Sequence, residues 1–222
     1  MNHAFNESLD LLLVITLLLN FFVLVASNLR TAIYLVGIQG MVIGVMPLLV
    51  HQGLDVRVVM LSLGTVVLKG IVFPRMLIFA LREIGFQREQ SPLLGYIPAL
   101  LFGAAGTGLA LAFSSTLPLR PEHVRPEQVG HLIVPAALST ALIGYLILCT
   151  RRRAITQTLG YLVLENGIFL FGLLLVEAMP LLIELGVLLD LFVAVFVMGI
   201  TIQHLTRGFE SDSTQLLSAL KE

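Results

Sequence analysis

The chain has 222 residues, of which 57% are hydrophobic and 12% charged, and its formal net charge is −1. A soluble domain carries about 25% charged residues, so the composition indicates a membrane protein, and the near-zero charge gives no reason to expect a nucleic acid or other polyanion as partner. The single Cys149 excludes an internal disulfide, a CxxC redox pair and a cysteine-only iron–sulfur cluster in this chain, which also has no GxxxxGK[ST], HExxH or GxGxxG motif for nucleotide or zinc chemistry.

Seven apolar segments follow one another along the chain, and each is long enough to cross about 30 Å of hydrocarbon as a helix. They lack the alternation of apolar and polar residues that is typical of barrel strands. The first is expected to be retained, because it is not preceded by the basic segment of a cleavable signal peptide. The predicted spans are 9–28, 31–50, 55–81, 93–114, 130–149, 154–177 and 180–206. The predicted fold class is therefore an all-α integral membrane protein with seven transmembrane helices.

The distribution of basic residues predicts the orientation of these helices. Loops that face the cytoplasm carry the excess of Lys and Arg. One side of the predicted bundle has Arg30, Arg82, Arg88, Arg151, Arg152, Arg153, Arg207 and Lys221, and the other has only Arg57, Arg120 and Arg125. The N-terminus is therefore predicted outside and the C-terminus in the cytoplasm.

The second and sixth spans can be aligned with each other. Arg30 then matches Arg153, and Gly37 matches Gly160. This alignment predicts two parallel three-helix units, spans 1–3 and 5–7, joined by a spacer helix, although apolar spans rich in Gly and Leu also resemble each other by chance. The predicted divisions are a divergent first unit (1–90), the spacer helix and external loop (91–129), the second unit (130–207) and a cytoplasmic tail (208–222).

Three charged residues stand inside predicted spans: Lys69 in the third, Glu165 in the sixth and Asp190 in the seventh. At 1.5 Å per residue, all three fall near the middle of the bilayer. A charge there costs about 2.5–3.5 kcal/mol on insertion scales and normally faces the bundle interior beside a partner. Burial favours the neutral form of acids and amines, which suits groups that pass protons at neutral pH. We predict that these residues take part in proton translocation; the structural alternative is a fixed ion pair between Lys69 and one of the two acids.

Polar residues follow these charges along one face of each helix and form a possible pathway. They are Asp55, Ser62 and Thr65 on the helix of Lys69, Thr158 and Tyr161 on that of Glu165, and Thr201 and His204 on that of Asp190. Small polar residues also line ordinary helix contacts, which is the alternative interpretation. Pro74 cannot donate to the Gly70 carbonyl, so the third span is predicted to bend or loosen beside Lys69.

The stretch RRRAITQTLGYLVLENGIFLFG (151–172), in which an arginine cluster leads to a mid-span glutamate, resembles the small three-helix subunit of respiratory complex I and the C subunit of multisubunit Na⁺/H⁺ antiporters. With LKG at 68–70, LEN at 164–166 and LLD at 188–190, the whole chain resembles the hydrogenase-4 component E family. The resemblance implies that Glu165 matches the family's first mid-membrane glutamate. It places Asp190 where complex I has its second.

This resemblance also implies what surrounds the chain. It implies a subunit of a complex-I-like membrane-bound hydrogenase in a bacterial or archaeal cytoplasmic membrane, without a catalytic centre of its own. Nickel–iron and iron–sulfur centres are expected on partner subunits, and this chain is expected to bind no cofactor. The expected partners are antiporter-like membrane subunits, a complex-I-like membrane anchor subunit and peripheral hydrogenase subunits. Two alternatives stay open: a subunit of a cation/proton antiporter, or an assembly scaffold whose charges form static ion pairs.

Overall fold

The computed structural model describes residues 2–50, 56–84, 93–116 and 132–175, together with residue 199. Within these ranges every regular element is helical. The elements are α1 (Asn2–Val25), α2 (Leu29–Val50), α3 (Val56–Val67), a π-helical turn (Leu68–Val72), α4 (Phe73–Ile84), α5 (Tyr96–Thr116), α6 (Ile133–Thr150) and α7 (Ala154–Leu175). The segment α3–π-turn–α4 forms one membrane-crossing unit, which we call the third span.

Six segments of the described chain are long and apolar enough to cross a membrane. They are Glu7–Val25, Leu29–Val50, Val58–Arg82, Tyr96–Thr116, Ile133–Thr150 and Ala154–Leu173. Their ends lie within a few residues of the first six predicted spans, so the chain is an all-α, multi-pass membrane protein. The seventh predicted span, 180–206, lies outside the described residues, and the division into two three-helix units stays a prediction.

Many apolar side chains lie on the outside of the bundle, whereas polar side chains near the middle of the spans lie inside it. Leu11, Leu18 and Phe22 on α1 are exposed, whereas Thr16 and Asn20 on the same helix are fully buried. Lipid solvates apolar side chains as well as a core does, so apolar burial does not hold such helices together. Close backbone packing and polar contacts must therefore do so.

Two apolar clusters fill the bundle, and a layer of polar side chains separates them. The cluster at one end, which we call the arginine-end cluster, includes Leu24, Ile33, Val36, Phe73, Leu77, Ile147, Leu159 and Val163. The cluster at the other end, the far cluster, includes Leu9, Leu13, Ile43, Met46, Ala137, Leu170 and Leu173. On α1, α2, α6 and α7, the residues between these two sets include buried Asn20, Gln39, Thr140, Glu165 and Asn166. These residues, with Lys69, form what we call the polar layer.

Glycines bring α7 against α6 at backbone distance. A methyl group added at Gly160 would lie 2.6 Å from the Leu148 backbone nitrogen, and one added at Gly144 or Gly167 would overlap the backbone of the facing helix. Small residues allow this close approach in membrane bundles. The separation of α6 and α7 is therefore fixed by residues without side chains, which in turn fixes where Glu165 and Asn166 lie.

The arginine-rich end of the bundle is where α2 and α7 begin and where α4 and α6 end, and it holds Arg30, Arg82 and residues 151–153. Arg151 is buried there, and its Nη2 donates to the Leu24 carbonyl at 2.8 Å. Its guanidinium carbon also lies 5.1 Å from the centre of the Tyr96 ring. A cation at the last turn of α1 satisfies a carbonyl that has no partner within the helix, so Arg151 joins the ends of α1 and α6.

Candidate functional site

An ion pair between Lys69 and Glu165 lies at the centre of the polar layer. Lys69 Nζ is 2.5 Å from Glu165 Oε1, and the two side chains are 3% and 2% exposed. The same ammonium lies 5.0 Å from the centre of the Phe169 ring, one turn along α7 from the glutamate. In the described part of the chain, no three His, Cys, Asp or Glu side chains come together as a metal site would require. The site therefore offers a buried acid and base that can share a proton.

The third span is locally unwound where it presents Lys69. The π-turn begins one residue before the lysine, and the Phe73 amide donates to the Leu68 carbonyl, five residues back. Pro74 follows at once, and π-turns commonly occur where an α-helical hydrogen bond is missing. The predicted departure from a regular α-helix beside Lys69 is confirmed. The turn brings Lys69 against α2, where a methyl group at Gly40 would lie 2.5 Å from Lys69 Cβ.

A chain of amide side chains starts at the ion pair and crosses the bundle. Lys69 Nζ also donates to Asn166 Oδ1 at 3.1 Å, and Asn166 Nδ2 donates to Gln39 Oε1 at 3.2 Å. Gln39 Nε2 donates to Asn20 Oδ1 at 2.7 Å, and Asn20 Nδ2 donates to Thr140 Oγ1 at 2.8 Å. These bonds join the third span to α7, α2, α1 and α6, so five membrane-crossing segments meet in one hydrogen-bonded chain.

All four bonds of this amide chain run in the same sense. An ammonium group can only donate, so Asn166 must present its oxygen to Lys69 and its NH₂ group to Gln39. The same reasoning then fixes the orientation of Gln39 and Asn20. The charge on Lys69 therefore sets the orientation of every amide as far as Thr140.

Three of the predicted pathway hydroxyls, those of Ser62, Thr65 and Thr158, are buried and bond to backbone carbonyls. Ser62 Oγ donates to the Gly44 carbonyl on α2 at 2.6 Å, while Thr65 and Thr158 donate to carbonyls four residues back in their own helices. Ser62, Thr65 and Lys69 do share one buried face of the third span, as their spacing predicts. Tyr161 is half-buried and packs against the arginine-end cluster.

Four of the predicted site residues lie outside the described residues. They are Asp55, Asp190, Thr201 and His204. The structure therefore brings together Lys69 and Glu165 of the three mid-membrane charges. The place of Asp190 beside them stays a prediction.

The three mid-span charges predict only part of the polar layer. Gln39, Asn20 and Thr140 are 0% exposed, and Asn166 is 2% exposed, yet none of them is among the predicted site residues. A signal was present, because Asn20 and Gln39 each interrupt an apolar run (LLLNFFVL and LVGIQGMV) near the middle of a span. An uncharged polar residue at that depth normally faces a hydrogen-bonding partner on another helix.

Comparison with known proteins relates the chain to two groups. Uncharacterized protein Rv0085 of Mycobacterium tuberculosis is 34% identical over 200 residues, covering 88% of this chain and 87% of the other. The chain belongs to the same family as this mycobacterial protein. Hydrogenase-4 component E of Escherichia coli K12 is 28% identical over 163 residues, 72% of each chain, and that of Shigella flexneri is similar to the same extent. No protein-family model matches the chain, and no solved structure does.

The relation to hydrogenase-4 component E that the motifs predict is thus confirmed as a distant one. The wider likeness to complex I and to antiporter subunits stays a prediction.

Proposed function

We propose that this chain is a non-catalytic membrane subunit of a complex-I-like hydrogenase of the hydrogenase-4 or formate hydrogenlyase type. It couples redox chemistry on partner subunits, which hold the nickel–iron and iron–sulfur centres, to proton translocation. The proposal includes a seventh helix, an outside N-terminus, a cytoplasmic C-terminus and residence in a prokaryotic cytoplasmic membrane. The partners are antiporter-like subunits, a membrane anchor subunit and peripheral hydrogenase subunits.

The observation that carries this proposal is the buried Lys69–Glu165 pair. Taking an acid and a base out of water costs several kcal/mol per ion, and replacing a buried ion pair by apolar residues is often neutral or stabilising. A pair that served only to hold helices together could therefore be replaced at little cost. Its chemical distinction is that one proton can pass from Lys69 Nζ to Glu165 Oε1, which lie 2.5 Å apart, without changing the net charge of the site.

Such a pair can respond to events elsewhere in the complex. The ion pair and the neutral pair differ only in which atom holds the proton. A nearby charge shifts the balance between them. A charge change in a partner subunit, or at Asp190 in this chain, would therefore shift the proton between Lys69 and Glu165. No substrate bond is broken here.

Glu165→Gln in the intact complex tests this proposal. It removes the proton acceptor while keeping the size of the side chain, so proton pumping by inverted membrane vesicles should fall at least tenfold, while hydrogenase activity persists uncoupled. Glu7→Gln, the same change at an exposed residue near the start of α1, is the matched control and should leave pumping unchanged. Assembly is checked by copurification of the partner subunits. Full pumping in an assembled Glu165→Gln complex would instead support the scaffold.

The proteins that copurify with the chain distinguish a hydrogenase subunit from an antiporter subunit. A hydrogenase subunit brings down proteins that contain nickel and iron–sulfur centres, which metal analysis of the purified complex detects. An antiporter subunit brings down membrane proteins only. The relation to component E favours the hydrogenase.

A further inference from the structure

A small cavity lies beside the ion pair. Its volume is about 10 Å³, roughly the space that one water molecule needs. Its polar lining residues are Lys69 and Asn166, and Val36, Gly37, Pro74 and Leu77 are among its other lining residues. A buried water needs polar neighbours of this kind to replace its bonds to bulk water.

The cavity arises from the same features that loosen the third span. Gly37 on α2 faces Pro74, and a methyl group added at Gly37 would lie 2.6 Å from Pro74 Cγ. A side chain at position 37 would therefore compete with Pro74 for space beside the cavity. The proline, the π-turn and the glycine therefore border an opening that Lys69 also lines.

The lining residues show toward which end of the bundle the cavity extends. Its apolar lining residues Val36 and Leu77 belong to the arginine-end cluster, so the cavity extends from the polar layer toward the arginine-rich end. None of its lining residues belongs to the far cluster. The amide chain is no substitute route, because an amide passes a proton only through its unfavourable imidic acid form.

We propose that this cavity holds one water molecule, through which Lys69 exchanges protons with the arginine-rich, cytoplasmic side. The proposal rests on the proposed function and adds the route. When the pair is neutral, a protonated water in the cavity gives its proton to the Lys69 amine. One O–H bond breaks, one N–H bond forms, and a neutral water and an ammonium group remain. Release of a proton is the reverse step.

Filling the cavity tests the route without touching the ion pair. Val36→Ile adds one methyl group at a buried lining residue, and should lower the pumping rate at least fivefold while partner copurification and hydrogenase activity persist. Val45→Ile makes the same change on a lipid-facing part of α2 and should leave pumping unchanged. Normal pumping by the Val36→Ile complex would overturn the proposal.

Silver-ion labelling measures water access directly. Ag⁺ reaches narrow aqueous spaces and reacts with thiolates, so Val36→Cys is made in a Cys149→Ser background that removes the single native cysteine. The loss of free thiol should be at least tenfold faster for Val36→Cys than for Val45→Cys when Ag⁺ is added from the cytoplasmic side. Equal rates at the two positions, or a Val36→Cys reaction from the outer side only, would overturn the proposal.

The two proposals fail in different ways. If Glu165→Gln pumps normally, the proposed function fails whatever the silver labelling shows. If Glu165→Gln abolishes pumping but Val36→Cys is protected from Ag⁺, the function stands and this route is wrong.

Discussion

Gln39→Leu should show how much the amide chain holds the bundle together. The substitution keeps the size of the side chain but removes the bonds to Asn166 and Asn20, at 3.2 and 2.7 Å. Hydrogen bonds between helices in membrane proteins contribute about 0.6 kcal/mol on average and about 1.7 at most, so two bonds contribute between about 1 and 3 kcal/mol. The upper part of this range applies, because both former partners stay buried with a polar group unpaired. We expect a loss of about 2–3 kcal/mol in the free energy of unfolding.

A double-mutant cycle of Gln39→Leu with Asn20→Leu isolates the contribution of the bond between these two residues. The bond between Gln39 and Asn20 is broken in either single variant, and it can be lost only once in the double variant. The double variant should therefore be more stable, by about 1 kcal/mol, than the sum of the two single losses implies. The measurement is unfolding of the purified chain in detergent mixtures of increasing denaturing strength. Additive losses would refute the coupling through this bond. A loss below about 0.5 kcal/mol for Gln39→Leu, less than one average interhelical hydrogen bond, would show that the amide chain does not stabilise the bundle.

Two further predictions concern the framework of the site. Gly144→Ala places a methyl group against the backbone of Leu164 and should lower the free energy of unfolding by at least about 2 kcal/mol, because it forces α6 and α7 apart. Gly108→Ala is the control and should be neutral or slightly stabilising, because no atom of a neighbouring element lies within 4 Å of the added methyl group. Unfolding in detergent measures both variants, and equal effects would contradict the packing argument. Lys69→Met leaves Glu165 buried without its cation and should lower the free energy of unfolding by about 3–5 kcal/mol. The double variant Lys69→Met with Glu165→Gln should recover most of that loss, because no buried charge is then left unpaired. A double variant as unstable as Lys69→Met would show that the loss does not come from the unpaired charge.

The sequence predicted the membrane segments well, because the length and polarity of a span are local properties. The six described spans begin and end close to their predicted limits, and Lys69 and Glu165 lie near the middle of theirs. Pro74 likewise predicted the disturbed helix, because the missing amide proton acts on its own helix. The sequence does not determine what each charge contacts, because Lys69 could pair with either of the two acids.

The arrangement of the helices around the site could not be read in the same way. In a soluble protein the polar face of a helix shows which side meets water, but here both the lipid and the core are apolar, so most positions on a span look equivalent. The glycines that do mark contact faces serve different neighbours: Gly37 meets Pro74 on the third span, whereas Gly160, its partner in the repeat alignment, meets Leu148 on α6. Spacing alone does not assign those neighbours.

The two kinds of polar group in the layer have complementary consequences for coupling. Amides hold helices together through directional bonds without adding charge, whereas the proposed function assigns the movable proton to Lys69 and Glu165. Asn166 bonds both to Gln39 and to Lys69, so a movement of α7 against α2 and the third span changes both contacts. Under the proposed function, a movement that lengthens the contact between Asn166 and Lys69 removes a hydrogen-bond acceptor from the ammonium group, so it would bear on where the proton lies. A shift of the proton would in turn alter this contact, because coupling between two events is reciprocal.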